Sequence, residues 1–176
     1  MAELPLEFEA FCQTYHRPYL KYALLHLGDR AAAVDTVEVV FAQLLEDWDD
    51  VLVMASVHRY AFAVLRHAIA ARLALSGRPT AMVEAAVFER VRTVVRRQME
   101  VMESALGLYS AIARLPERQL DVIILLFVLG YGKHQTASIM GISPGTVRSH
   151  LHTARRQLAR DVGVPWDSSW EAEEIV

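Results

Sequence analysis

Along this chain apolar residues recur at three- and four-residue intervals, and the every-second-residue alternation of a half-buried strand is scarce. The pattern predicts an all-α fold. In the first segment Phe8, Phe11, Cys12, Tyr15, Tyr19, Tyr22 and Ala23 share one helical face. Pro18 falls inside that run and should kink the helix or split it in two, because its ring cannot donate a hydrogen bond and crowds the preceding turn. Gly28 should end this segment and Asp29 cap the next. There Val34, Val37, Phe41, Leu44, Leu45 and Trp48 form one stripe, beside an acidic turn of Glu46, Asp47, Asp49 and Asp50. A third helix is expected from Val57 to Leu75, with Tyr60, Ala61, Val64, Leu65 and Ala68 toward the core and Phe62 off that stripe.

Serine, glycine and proline together at Ser76-Gly77-Arg78-Pro79-Thr80 mark the clearest break. A helix over 81–104 follows, with Val83, Val87, Val91, Val94 and Val95 as its stripe. Its Arg90, Arg92, Arg96 and Arg97 read as a solvated face balanced by Glu84, Glu89, Glu100 and Glu103. Ser104 can cap a short helix ending near Arg114. Pro116 suits the first position of the next, whose buried stripe would be Leu120, Ile123, Ile124, Phe127 and Val128, with Gly130 as its stop. A short helix from Lys133 to Met140 should end at Gly141, and Ser143 should cap a new one with Pro144 at its first position. In that last helix Val147, Leu151, Ala154 and Leu158 are spaced for a core-facing stripe. The expected architecture is two small helical domains joined by a linker. An N-terminal domain covers 1–75 and a helix-bearing linker 76–104. A four-helix C-terminal domain covers 105–163, and an acidic tail 164–176.

The formal charge is −3, which at first tells against binding to nucleic acid. The charge is segregated, however. Residues 1–75 carry six basic and ten acidic side chains, residues 111–160 carry seven and two, and residues 161–176 carry none and five. A basic stretch of about fifty residues thus lies inside an acidic chain. The five acidic side chains at the end could cover its basic face and lower nonspecific affinity. The lone Cys12 cannot form an internal disulfide and fits a reducing compartment. No apolar run approaches a membrane span, and the acidic start lacks signal-peptide character, so a cytoplasmic protein with no membrane association is expected.

The basic stretch contains a short helix, a glycine turn and a capped helix, the layout of a helix-turn-helix whose second helix enters the major groove. Gly141 can take the unusual backbone angle of the turn, and Ala137 permits close helix crossing. Lys133, Ser143, Thr146, Arg148, Ser149, His150, His152, Arg155 and Arg156 are the candidate DNA contacts. Thr153 adds a donor to that outer face. Arg148 and Ser149 lie early enough in the helix to reach base edges, whereas Arg155 and Arg156 suit phosphates.

Leu115-Pro116-Glu117-Arg118-Gln119 and the run Gly141-Ile142-Ser143-Pro144-Gly145-Thr146-Val147-Arg148-Ser149-His150-Leu151 resemble the C-terminal domain of bacterial RNA polymerase sigma factors. The similarity extends through His152-Thr153-Ala154-Arg155-Arg156-Gln157-Leu158 and is nearest to the extracytoplasmic-function group, which keeps two domains and a linker. The resemblance implies a domain that reads the promoter −35 element. It implies that Arg148, Ser149 and His150 read bases or backbone and that Arg155 and Arg156 grip phosphate. More loosely, Leu27-Gly28-Asp29-Arg30 leading into Asp35, Val37, Glu38 and Phe41 is similar to the family's helix that docks on core polymerase. His58 to His67 is similar to its −10 element helix, which implies roles for Arg59, Tyr60, Phe62 and Arg66 in holding and stacking the opened strand. Glu38 stands where glutamine is usual, Val39 where an acid is usual, and Ala63 where arginine is common. A basic residue is usual at the place of His150.

Three readings follow. The first is a two-domain sigma factor that binds core polymerase through residues 30–48, holds the −35 element through 143–156 and opens the −10 region through 59–72. The second is a sigma-like regulator with reduced or partner-dependent melting, suggested by the few basic residues from 59 to 78. The third is a helical interaction module whose apolar helices bind an anti-sigma protein or a dimer partner, with DNA contact secondary. Catalysis, metal and cofactor are not expected. His150 and His152, two residues apart, point away from each other, and no nucleophile–base motif or phosphate-cradling glycine loop occurs.

Overall fold

The computed structural model describes residues 4–76, 111–112 and 114–163. Among them every regular element is helical, as the periodicity requires. The expected helix over 81–104 with its arginine cluster, most of the Ser104 helix, and the acidic tail lie outside the described residues. The chain divides into two compact units, Met1–Ala86 with Ile139–Gly141, and Val87–Ser138 with Ile142–Val176.

In the first unit α1 (Leu6–Leu27), α2 (Arg30–Glu46), α3 (Trp48–Leu52) and α4 (Val57–Leu75) pack on one another. Gly28 at φ 68° turns the chain out of α1 while its N–H reaches the Leu24 carbonyl. The Asp29 carboxylate then accepts from the Ala32 N–H and caps α2. Ser56 caps α4 in the same way, accepting from Arg59 N–H.

The core of this unit is aromatic. Phe8, Phe11, Tyr15, Tyr19 and Tyr22 are all buried, as the stripe on α1 predicts. They meet Phe41 from α2, Trp48 from α3 and Phe62 from α4, with Phe8–Trp48 centroids 4.9 Å apart, Phe11–Phe41 6.1 Å and Tyr22–Phe62 5.2 Å. Edge-to-face and tilted pairs at such separations add about 0.5–1.5 kcal/mol each to the burial of their surface.

This core corrects three expectations. α1 is one continuous helix through Pro18. The missing bond costs roughly 3 kcal/mol, but aromatic side chains on both sides of the proline bury in one core, and each returns a comparable amount. Trp48 does not extend the α2 stripe: the chain turns at Asp47, and Trp48 opens α3 while remaining buried. The buried face of α4 is Ala61, Phe62, Leu65 and Ile69, with Tyr60, Val64 and Ala68 only half-buried. The helix is rotated because it packs against both α1 and α2, and Phe62 fills the space between Tyr19 and Tyr22.

In the second unit α5 (Glu117–Ile123) runs directly into a wider π-turn, Ile124–Val128. Pro116 serves as its N-cap rather than its first helical residue. The expected stripe holds for Ile123 and Ile124, but Leu120, Phe127 and Val128 are half-buried, and Val122, Leu125 and Leu126 are buried instead. The π-turn is the reason for the last two departures. An extra residue in the turn, with Leu129 N–H reaching back five residues to the Ile124 carbonyl at 2.9 Å, shifts everything after it around the axis. Gly130 at φ 73° closes the segment.

His26, near the end of α1, is half-buried beside Tyr22, with ring centroids 4.5 Å apart, and its enclosed Nε2 has no hydrogen-bond partner. Burial, with the Arg66 charge adding to it, pushes its pKa down from 6.5 to about 4. The unfolded chain therefore binds a proton between those values that the folded chain refuses. Stability is present above about pH 6.5 and is lost as pH falls toward 4, by on the order of 3 kcal/mol. His58, also lowered by burial, acts with the same sign. Thermal unfolding between pH 7.5 and 4 should show this loss, and His26→Phe should flatten it. An unchanged pH profile in that variant would remove His26 as the cause.

Candidate nucleic-acid interface

The segment that carries the candidate DNA contacts consists of α6 (Lys133–Met140), a turn, and α7 (Pro144–Asp161). Each junction is held by its own chemistry. At the start of α6 the Gln135 side chain accepts from Gly132 N–H at 3.2 Å, half of a capping box. At its end Gly141 has φ 63°, which a side chain would strain, and Ile142 N–H donates to the Ala137 carbonyl at 3.0 Å. That bond is the long closure of a Schellman turn. Ser143 is extended, and its Oγ accepts from Thr146 N–H at 3.0 Å, with Pro144 at the first helical position. The sequence signals for turn, cap and helix are all met.

Val147, Leu151, Ala154 and Leu158 are buried, as their spacing predicts, together with Ala159. This face lies against α5. Residues advance about 100° around a helix, so burying one stripe fixes where every other side chain points. Ser149 and Arg156, both exposed, lie directly opposite the core. Arg148, His152 and Arg155, at intervals of four and three, occupy one flank. Arg148 is exposed and the other two are half-buried. His150 is half-buried on the opposite flank, so it is not grouped with Arg148. Lys133 is half-buried at the first position of α6.

Several polar groups are already engaged. Ser143 and Thr146 hydroxyls share a 2.8 Å hydrogen bond, and Thr153 Oγ1 donates to the Ser149 carbonyl at 2.9 Å. The Thr153 donor therefore serves the helix. Arg155 lies over the Phe127 ring, its Cζ 5.8 Å from the centroid. At the far end Arg114 Nε stands 3.5 Å from Asp161 Oδ2, and Gln157 Nε2 donates to the Arg114 carbonyl at 3.3 Å. The sequence reading missed two participants. Arg160 is exposed on the same outward line as Ser149 and Arg156, and continuing the helical period by one turn would have found it. Phe127 had no such signal, because its place depends on the π-turn.

The N-terminal candidates are distributed differently. Asp35 and Glu38 are exposed on α2, whereas Val37 and Phe41 are buried. Asp35 Oδ2 receives Arg72 Nη2 at 3.3 Å across to α4, and both side chains remain substantially exposed. On α4 Arg59 is exposed, Tyr60 and Arg66 are half-buried, and Phe62 is wholly enclosed. Among the described residues no group of three or more His, Cys, Asp or Glu side chains is placed to hold a metal ion, and no helix is long and apolar enough to cross a membrane.

Ser143→Ala removes the acceptor for Thr146 N–H and should cost about 1 kcal/mol in denaturant unfolding. Unchanged stability would mean that the cap contributes nothing to α7.

Residues 105–158 match the family model described as Sigma-70, region 4. Among curated proteins the chain is similar to the ECF RNA polymerase sigma factor SigM of two Mycobacterium tuberculosis strains, Erdman and H37Rv. In each the identity is 36% over 78 residues, which is 44% of this chain and 39% of the relative. The chain thus aligns with well under half the length of the curated relatives it matches. Among solved structures, the sigma factor RpoE of Bartonella quintana, crystallised with the anti-sigma factor NepR, gives a TM-score of 0.43 at 18% identity. That alignment covers 91% of this chain and 99% of the other. Over residues 105–158 the chain is thus similar to the sigma-70 region 4 family, and over a longer stretch to an extracytoplasmic-function sigma factor.

Proposed function

We propose that this protein is a sigma factor of the extracytoplasmic-function type, which directs core RNA polymerase to specific promoters and acts in the bacterial cytoplasm. Such a protein works by binding, and it is not an enzyme on its own. α7 would lie in the major groove at the −35 element. Arg148 and Ser149 would reach base edges near its N-terminus, and Arg155 and Arg156 would neutralise phosphates further along. The region 4 match over α5 to α7 carries this reading, and the exposed Arg148, Arg156 and Arg160 of a capped helix support it. The first unit would hold the polymerase, with exposed Asp35 and Glu38 on α2 as its polar contacts. Val37 and Phe41 would support that helix from beneath. An anti-sigma protein is a further partner in this reading. The domain plan remains that of the sequence: 1–75, a linker over 76–104, 105–163 and a tail.

One observation favours the second reading, a sigma-like regulator that melts promoters weakly or with a partner. Phe62 fills the aromatic core and has no free ring face on which a flipped base could stack. Arg59, Tyr60 and Arg66 would then have to hold the −10 strand without it.

Transcription with sigma-free core polymerase and a promoter library separates these readings. Transcripts from a defined promoter set support the sigma factor. Specific duplex binding without transcripts supports the regulator, and neither outcome sinks both. Arg148→Ala should cost about 1–3 kcal/mol at one or two base positions. Unaltered sequence preference would remove α7 as the reading helix.

A further inference from the structure

We propose that Arg72 is a positioning residue for the outer face of α2, holding the Asp35 carboxylate for a partner that brings a hydrogen-bond donor to Asp35 and an apolar group to the neighbouring Val39. The inference rests on the reading of the first unit as the part that holds core polymerase, and core polymerase is the partner it names. Burial of Ala33, Val37, Val40 and Leu44 turns Asp35, Glu38, Val39 and Ala42 outward on α2. Positions three and four apart are neighbours on a helix surface, so Glu38 and Val39 both adjoin Asp35. Val39 is 61% exposed, so this face sets an apolar side chain beside two acids. Arg72 comes to it from the other helix. It continues the line of Ala61, Leu65 and Ile69 by three- and four-residue steps, and that line is the buried face of α4. In the last turn of α4 the line thus carries a cation, which suits a helix C-terminus. α4 packs against α2, and Arg72 Nη2 donates to Asp35 Oδ2 at 3.3 Å. The two side chains are 43% and 58% exposed, so the pair is screened by solvent and contributes little to stability. Its effect is conformational. An untethered surface aspartate spreads over several rotamers and loses that freedom on binding. A carboxylate offers about four acceptor sites, so Asp35 can be held by Arg72 and still accept from a partner.

The test is binding of the full chain to sigma-free core polymerase without DNA, with thermal unfolding measured beside it. Arg72→Met keeps the apolar stem and should weaken binding about two- to fivefold with little change in unfolding temperature. Arg72→Lys retains a cation and should recover most of that loss. Asp35→Asn should weaken binding, and in that background Arg72→Met should add nothing further. Val39→Asn should also weaken binding, and binding that ignores it would overturn the partner chemistry named here. Exchanging the pair, Asp35→Arg with Arg72→Asp, separates positioning from a plain tie between helices. The exchanged chain should unfold like the parent yet bind weakly, because the carboxylate has left α2. Parental affinity in the exchanged chain would overturn the proposal. So would unchanged or tighter binding of Arg72→Met, or a penalty for Arg72→Met that persists in full beside Asp35→Asn. In each of those outcomes the parent still binds, and the polymerase-holding reading survives. A parent that binds no core polymerase sinks that reading and the proposal with it.

Discussion

The burial of one apolar stripe on α7 sets the geometry of the whole candidate interface. Val147, Leu151, Ala154 and Leu158 leave water together, and on a helix that choice determines the direction of every other side chain. Arg148, Ser149 and Arg156 are exposed because those four are not. The caps at Ser143 and Gly141 decide where the helix begins, and hence which residues sit in the turn that would enter a groove first. The register, the rotation and the starting point of α7 come from separate interactions that agree.

Burial and availability compete in the first unit. Its stability rests on rings gathered from four helices, and the rings are also the side chains that single-stranded nucleic acid would need. Phe62 has gone to the core, and the half-buried Tyr60 lies at its edge. Partial burial at the end of α1 likewise favours the neutral form of His26 and leaves its Nε2 without a hydrogen bond. On α2 the division falls within two turns. Val37 and Phe41 face inward and Asp35 and Glu38 outward, so a motif that reads as one patch along the chain becomes a support and a surface.

Local signals proved legible where a single residue's chemistry decides the backbone. Gly28 and Gly141 take positive φ, Asp29 and Ser143 accept from free N–H groups in the first turns of their helices, and α4 and α6 have the expected bounds. The periodicity of α7 was equally plain, because the helix is strongly two-faced and packs on one side. The rotation of α4 was not legible, because it packs against two neighbours and its spacing admits more than one buried face.

The chain's own sequence therefore determined an all-helical fold, the helix-turn-helix with its caps, and the gathering of basic charge on that segment. These depend on residue type and spacing within a few turns. Tertiary structure decided that α1 runs unbroken through Pro18, that Phe62 is enclosed, and that Phe127 meets Arg155. In each case the deciding energy comes from contacts between residues distant along the chain. Such contacts can override a proline's local cost, choose among the faces of a helix, or widen a turn by one residue.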